Sequence, residues 1–240
     1  MPMSKAMRSQ LAAFQEDTKR EFVRSATIKE YWENGGHRFK VPPVQHDGPE
    51  WEIKQYEVMP NDVTFLRAMF QGRYTAPGTY TQLIQKNPKL IMMTDSPAEI
   101  WDHREPYVKA KQMEAKTVLV VGLGLGVVTR MLMSLPHIQR IDVLEKSEEL
   151  INFFYGTFDD RVILHHGDVF KKRWPVKVKW DIVWIDIWPF ISEDNEKEMN
   201  KINKKYWNRC RWIGYWSKHE LMYQRAKTNE WKERAANASK

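Results

Sequence analysis

The chain has one cysteine, Cys210, among its 240 residues, which excludes an internal disulfide and any metal site built on several thiolates. It has no run of 18 apolar residues, so no membrane-spanning helix is expected. The first ten residues, MPMSKAMRSQ, lack the apolar block of a signal peptide. These absences make the cytoplasm the expected compartment. Charge of either sign is also missing from most of the chain in net terms. Residues 1–195 hold 26 Lys and Arg against 26 Asp and Glu, whereas residues 196–240 hold 12 against 5 and so supply the whole excess of +7. A basic end of this kind is either a solvated helix surface or an attraction for nucleic acid. No motif alternating basic and aromatic residues accompanies it, and the solvated surface is the preferred reading.

Glycine is sparse too, with 11 residues, yet three of them crowd into Gly122-Leu-Gly124-Leu-Gly126. Before them, Val118 to Val121 form a continuous apolar run, as expected of a central parallel strand covered on both faces. After them, Val127, Met131 and Leu135 recur at helical spacing. Strand, glycine turn and helix make the first half of a nucleotide-binding βαβ unit, with backbone N–H groups at the turn and helix start offered to an anion. The spacing is G-x-G-x-G, because Val127 stands where a dinucleotide fingerprint needs glycine. That form suits a ligand presenting a carboxylate and a nucleoside. The next strand, RIDVLEK, ends with Glu145, placed to accept from two ribose hydroxyls.

Upstream, residues 4–33 show helical spacing that Gly35-Gly36 stops, and a proline-rich connector covers Lys40 to Pro49. From Trp51 the pattern changes to short segments, WEIKQYEV, TFLRAMFQ, GTYTQLIQ and KLIMMTD, read as antiparallel strands or hairpins. Residues 1–95 thus form a helix plus a small β-rich unit, expected to act as a lid, and residues 96–240 form the nucleotide-binding domain. Ser96, Pro97 and Glu99 read as the start of a helix with Ser96 as its cap, carrying Glu99 and His103 four residues apart. Downstream come RVILHHGDVF with Gly167-Asp168, the apolar strand KWDIVWIDIWPF with Asp186 at its end, a helix from Ser192, the strand RWIGYWS and a final helix. The expected fold is α/β: a doubly wound, Rossmann-like parallel sheet with ligands at the carboxyl ends of its strands. Asp186, flanked by apolar residues, is the candidate proton acceptor or substrate anchor. Trp188 in Trp188-Pro189-Phe190 is read as a pocket wall or core residue. His165 and His166 have no third ligand within reach, and no metal site is expected.

The glycine motif VLVVGLGLG, Glu145, Gly167-Asp168 and Asp186, over roughly residues 89 to 216, resemble the class I S-adenosylmethionine-dependent methyltransferases and within them the spermidine synthase group. The resemblance implies a cofactor set of Gly122, Leu123, Gly124, Gly126, Glu145, Lys146, Gly167, Asp168, Val169 and Asp186, holding S-adenosylmethionine or its decarboxylated form. It implies catalysis by Asp186 on an amine or other small-molecule acceptor, and a substrate side of Glu99, His103, Trp188 and Tyr80. That side departs from the spermidine synthase pattern: Met93 falls where Gln belongs, Ala98 replaces an acid, Asp102 a Tyr and Arg104 an acid. Only 23 residues follow Ser217 and they read as helix, so either the antiparallel hairpin that closes the family's sheet is absent, or another chain or the N-terminal unit closes that edge. Methyl transfer is therefore preferred over aminopropyl transfer, with a nucleoside-binding scaffold as the non-enzymatic alternative and a homodimer as a compatible assembly.

Overall fold

The computed structural model describes residues 5–60 and 63–238, which divide into two compact units, Met1–His103 and Arg104–Lys240. Residues 1–4, 61, 62, 239 and 240 lie outside that description.

The first unit opens with α1 (Lys5–Glu33), ended by Gly35 in the left-handed conformation at φ 109°. Strands β1 (His46–Asp47) and β2 (Trp51–Val58) lead into a second helix, α2 (Val63–Phe70), and then into β3 (Gly78–Lys86), β4 (Lys89–Thr94) and the short α3 (Pro97–Asp102). The four strands pair antiparallel in chain order. Two sequence expectations are corrected. TFLRAMFQ is helical, because a short apolar run containing Leu, Arg, Ala and Met carries helix formers and no true alternation. Ser96 does not cap α3 through its side chain; its hydroxyl instead bonds Thr94 Oγ1 at 3.0 Å. The helix packs in the first unit, Met1–His103, where Ala98 meets Ile28 and Tyr74.

The second unit begins with α4 (Glu105–Met113) and continues through β5 (Thr117–Val121), α5 (Val127–Met133), β6 (Arg140–Glu145), α6 (Glu148–Phe154) and β7 (Val162–His166). It returns through β8 (Trp180–Ile185), α7 (Glu193–Tyr206), β9 (Cys210–Tyr215) and α8 (Lys218–Ala238). All five strands are parallel in the order β7-β6-β5-β8-β9, so the chain winds outward from β5 to one edge, then crosses back to build the other. This is the doubly wound, Rossmann-like sheet, with its switch point between β5 and β8. Val118 to Val121 are all buried because helices cover both faces. On one face Met199, Ile202 and Tyr206 of α7 recur at helical spacing and pack on Val121, Val183 and Ile185. Among the described residues the sheet ends at β9 and no antiparallel hairpin follows it.

A charged group sits inside this apolar sheet. Asp142 of β6 is fully buried and accepts from Arg140 (Nε at 2.9 Å, Nη2 at 2.8 Å), His165 Nε2 at 2.7 Å and Trp180 Nε1 at 2.8 Å. Burial alone would raise its pKa, but the bonds from His165, Arg140 and Trp180 prevail and hold it at about 2.

Candidate functional site at the carboxyl ends of the parallel strands

The hydrogen-bond ladder of the sheet extends one residue past each strand. Asp186 N donates to Val121 O at 2.8 Å, Gly122 N to Leu144 O at 2.9 Å, and Gly167 N to Glu145 O at 2.8 Å. These three bonds set Gly167-Asp168, Glu145, the glycine turn and Asp186 side by side along one edge. The expected features therefore come together, although they lie far apart in sequence.

Gly122 is the closest junction. Its φ is +94°, and a Cβ there would lie 1.9 Å from the Asp186 carbonyl oxygen. Only glycine lets the turn pass beneath the end of β8. Gly124 and Gly126 are also left-handed, at φ 52° and 74°, and a Cβ on Gly126 would meet the Phe158 ring at 2.8 Å. Two of the three glycines thus have packing reasons of their own. Leu123 and Val169 bury their side chains, so only their backbones face the edge, while Lys146 is exposed.

Glu145 is buried at 9% exposure, and its two oxygens hold separate parts of the edge. Oε2 accepts from Leu123 N and Oε1 from Ser147 N, both at 2.8 Å. A carboxylate has about four acceptor positions, so each oxygen keeps one for a further donor. Asp168 uses Oδ1 to accept from Phe170 N at 2.8 Å, and among the described residues its Oδ2 receives no bond. An acceptor set of this kind fits a nucleoside: a diol donating to Glu145, an exocyclic amine donating to Asp168. Trp188 is buried at 8%, donates its indole N–H to Glu198 Oε2 at 2.6 Å and lies 6.2 Å from the Tyr215 ring. It is a core residue held at the rim of the strand ends.

The substrate-side residues of the first unit have other partners. Tyr80 is 2% exposed and donates to Ala76 O at 2.7 Å, which makes it core rather than a substrate contact. Glu99 is bound by Arg73, which also reaches Asp102 Oδ2 at 2.9 Å, and Arg24 closes on Asp102 Oδ1 at 2.7 Å. His103 is buried, with Nδ1 2.6 Å from the Glu99 carbonyl oxygen. Glu99 and His103 therefore meet through the helix backbone, not as a free pair of side chains. His165 is structural, bonded to Asp142, and among the described residues no group of His, Cys, Asp and Glu is arranged to hold a metal. Also among the described residues, no helix is long and apolar enough to cross a membrane. Sequence reasoning passed over Asp142; its signal was an acid inside an otherwise apolar strand.

The chain matches no protein-family model and no curated relative. It is similar to solved structures that include the methyltransferase domain of bacterial CtHen1 (14% identity, 42% of this chain and 59% of that one, TM-score 0.35). Others are the CcbJ methyltransferase of Streptomyces caelestis (18%, 45% and 45%, 0.36) and CalS10, an amino pentose methyltransferase from Micromonospora echinaspora (16%, 45% and 46%, 0.35). The chain spans about half the length of these structures. The strand order β7-β6-β5-β8-β9, and not these scores, defines the fold as Rossmann-like.

Proposed function

We propose that the chain is an S-adenosylmethionine-dependent methyltransferase acting on a small acceptor. One observation carries the reading: Glu145, Asp168, the glycine turn and Asp186 stand side by side on the carboxyl edge, as a bound nucleoside with an anionic tail would require. The cofactor supplies an activated methyl group on a sulfonium. Glu145 would accept the ribose hydroxyls on the positions left over from Leu123 and Ser147. Asp168 Oδ2 would accept from the adenine amine. The turn at Gly122–Gly126 would meet the carboxylate with backbone N–H groups. Asp186 would orient an amine acceptor and take its proton. Aminopropyl transfer is the weaker reading, since Arg73 neutralises Glu99, the acid that the resemblance assigns to a cationic substrate.

Calorimetric titration with S-adenosylmethionine, S-adenosylhomocysteine and decarboxylated S-adenosylmethionine tests this. The first two should bind and the third more weakly. Glu145→Ala should weaken binding by roughly a hundredfold, two charge-assisted bonds at about 1.5 kcal/mol each. No binding by the native chain sinks the cofactor assignment, and preference for the decarboxylated form moves the reading to aminopropyl transfer.

Asp186→Asn tests the chemistry separately. Cofactor affinity should stay within about twofold, while turnover of an amine acceptor falls by a factor on the order of 100 or more. Unchanged turnover removes Asp186 from the proton-transfer role.

A further inference from the structure

Two segments of the second unit, residues 169–180 and 199–212, each carry five Lys and Arg and no Asp or Glu. They are remote in sequence, with β8 between them, yet the structure fastens one to the other. Lys205 Nζ donates to Val169 O at 2.7 Å and Phe170 O at 3.1 Å. Arg209 Nη1 donates to Pro175 O at 2.9 Å and Val178 O at 3.0 Å. Two cations are used as clasps, and burial pulls the Lys205 ammonium below its ordinary range, against the raising pull of Asp168 and with Arg209 and Arg173 adding to the lowering. Lys172 is half-buried, with its Nζ 5.4 Å from the Trp174 ring centroid, and six others, Lys171, Arg173, Lys177, Lys179, Lys201 and Lys204, are exposed. Among the described residues none of these six is paired with a carboxylate, whereas Arg211 is paired with Asp181.

Aromatic groups stand on the same two segments. Trp207 is 61% exposed and Phe170 is 41% exposed. Chain order separates the two halves of this combination, each with five cations and one of these rings, by β8. Unpaired cations around exposed rings are what single-stranded nucleic acid binds, phosphates against the cations and base faces on the rings. A membrane surface would ask for a continuous apolar helix face, and two rings with the exposed Val176 do not make one. We propose that this face binds single-stranded nucleic acid, with Trp207 and Phe170 as stacking platforms and the unpaired lysines and arginines along the phosphates. The stripe starts directly after Gly167-Asp168, so a bound strand would run from the carboxyl edge along the flank of α7. The inference does not depend on methyl transfer.

The test is fluorescence anisotropy of the full chain with labelled oligo(U) and oligo(dT) of about 20 nucleotides and a duplex of equal length, at several salt concentrations. For about five phosphate contacts, log affinity should fall against log salt with a slope near −3.5 on single strands. Lys171→Glu, Arg173→Glu and Lys177→Glu together should weaken binding at least about tenfold and flatten that slope. Lys201→Glu with Lys204→Glu, on the other segment, should do the same and serves if the first variant does not fold. Trp207→Ala should weaken single strands about fivefold or more and leave the duplex unchanged. Absence of oligonucleotide binding overturns the proposal, as does unaltered affinity in both folded charge variants. Binding to phosphatidylserine vesicles without binding to either oligonucleotide also overturns it.

Discussion

Gly122→Ala should lower the unfolding midpoint by about 10 °C and abolish cofactor binding at ordinary concentrations. The added Cβ would stand 1.9 Å from the Asp186 carbonyl oxygen, a backbone atom fixed by the bond from Asp186 N to Val121 O. No flexible side chain can move out of its way. The φ of +94° adds strain of about 1–3 kcal/mol for a residue with a side chain. With the overlap added, the loss should reach roughly 3–5 kcal/mol, at about 2–4 °C per kcal/mol for a chain of this size. Gly126→Ala is the comparison. Its Cβ meets the end of the Phe158 ring at 2.8 Å, and a ring can tilt, so its midpoint should fall by less than half as much. Circular dichroism melting of both variants decides the matter. Equal midpoints would mean that the β5–β8 junction is softer than its geometry implies.

Asp142→Asn should cost about 3–5 kcal/mol, again about 10 °C or more in midpoint. Asn removes the charge that the Arg140 guanidinium faces, and one end of its amide would turn a donor toward groups that already donate. The native contribution has a defined pH dependence. The folded pKa, about 2, lies below the unfolded value. The stabilisation is therefore complete above about pH 4 and is lost as pH falls toward 2, a span worth roughly 2 kcal/mol. Denaturant melts between pH 5 and 2 should show the native chain losing more stability than Asp142→Asn over that interval. Parallel acid limbs would show that the carboxylate is not held ionised by its partners.

The parallel sheet and its four polar strand ends were legible because each strand announces itself. Val118 to Val121 and Ile182 to Ile185 are apolar on both faces, and the exceptional residues fall where those runs stop. The first unit was less legible. Its helix α2 spans only eight residues and leaves Val63, Leu66 and Phe70 exposed while Met69 packs on the core of Ile28, Tyr74 and Ala98, so apolar residues on more than one side blurred the helical period. Tyr80, Glu99 and His103 have chemically active side chains, and only three-dimensional packing shows that Ala76, Arg73 and the α3 backbone already occupy them. The basic face was hidden for a different reason: net charge was visible at the end of the chain, but half of the patch lies in segment 169–180, whose five cations are cancelled in the count by acids elsewhere in residues 1–195, and is brought into place by Arg209 and Lys205.

The bond from Trp180 to Asp142 also dictates an order of assembly. Its donor opens β8, its acceptor lies in β6, and β5 stands between them. It can close only after three strands have aligned, across a separation of 38 residues in the chain. The hairpin of β3 and β4 has no such wait, since its partners are neighbours in sequence. Local pairings form quickly and distant ones slowly. Burial of the Trp180 indole is therefore a late event in refolding, and the part of the refolding emission change that Trp180→Phe removes from the signal of the eleven tryptophans is a clock for completion of the parallel sheet.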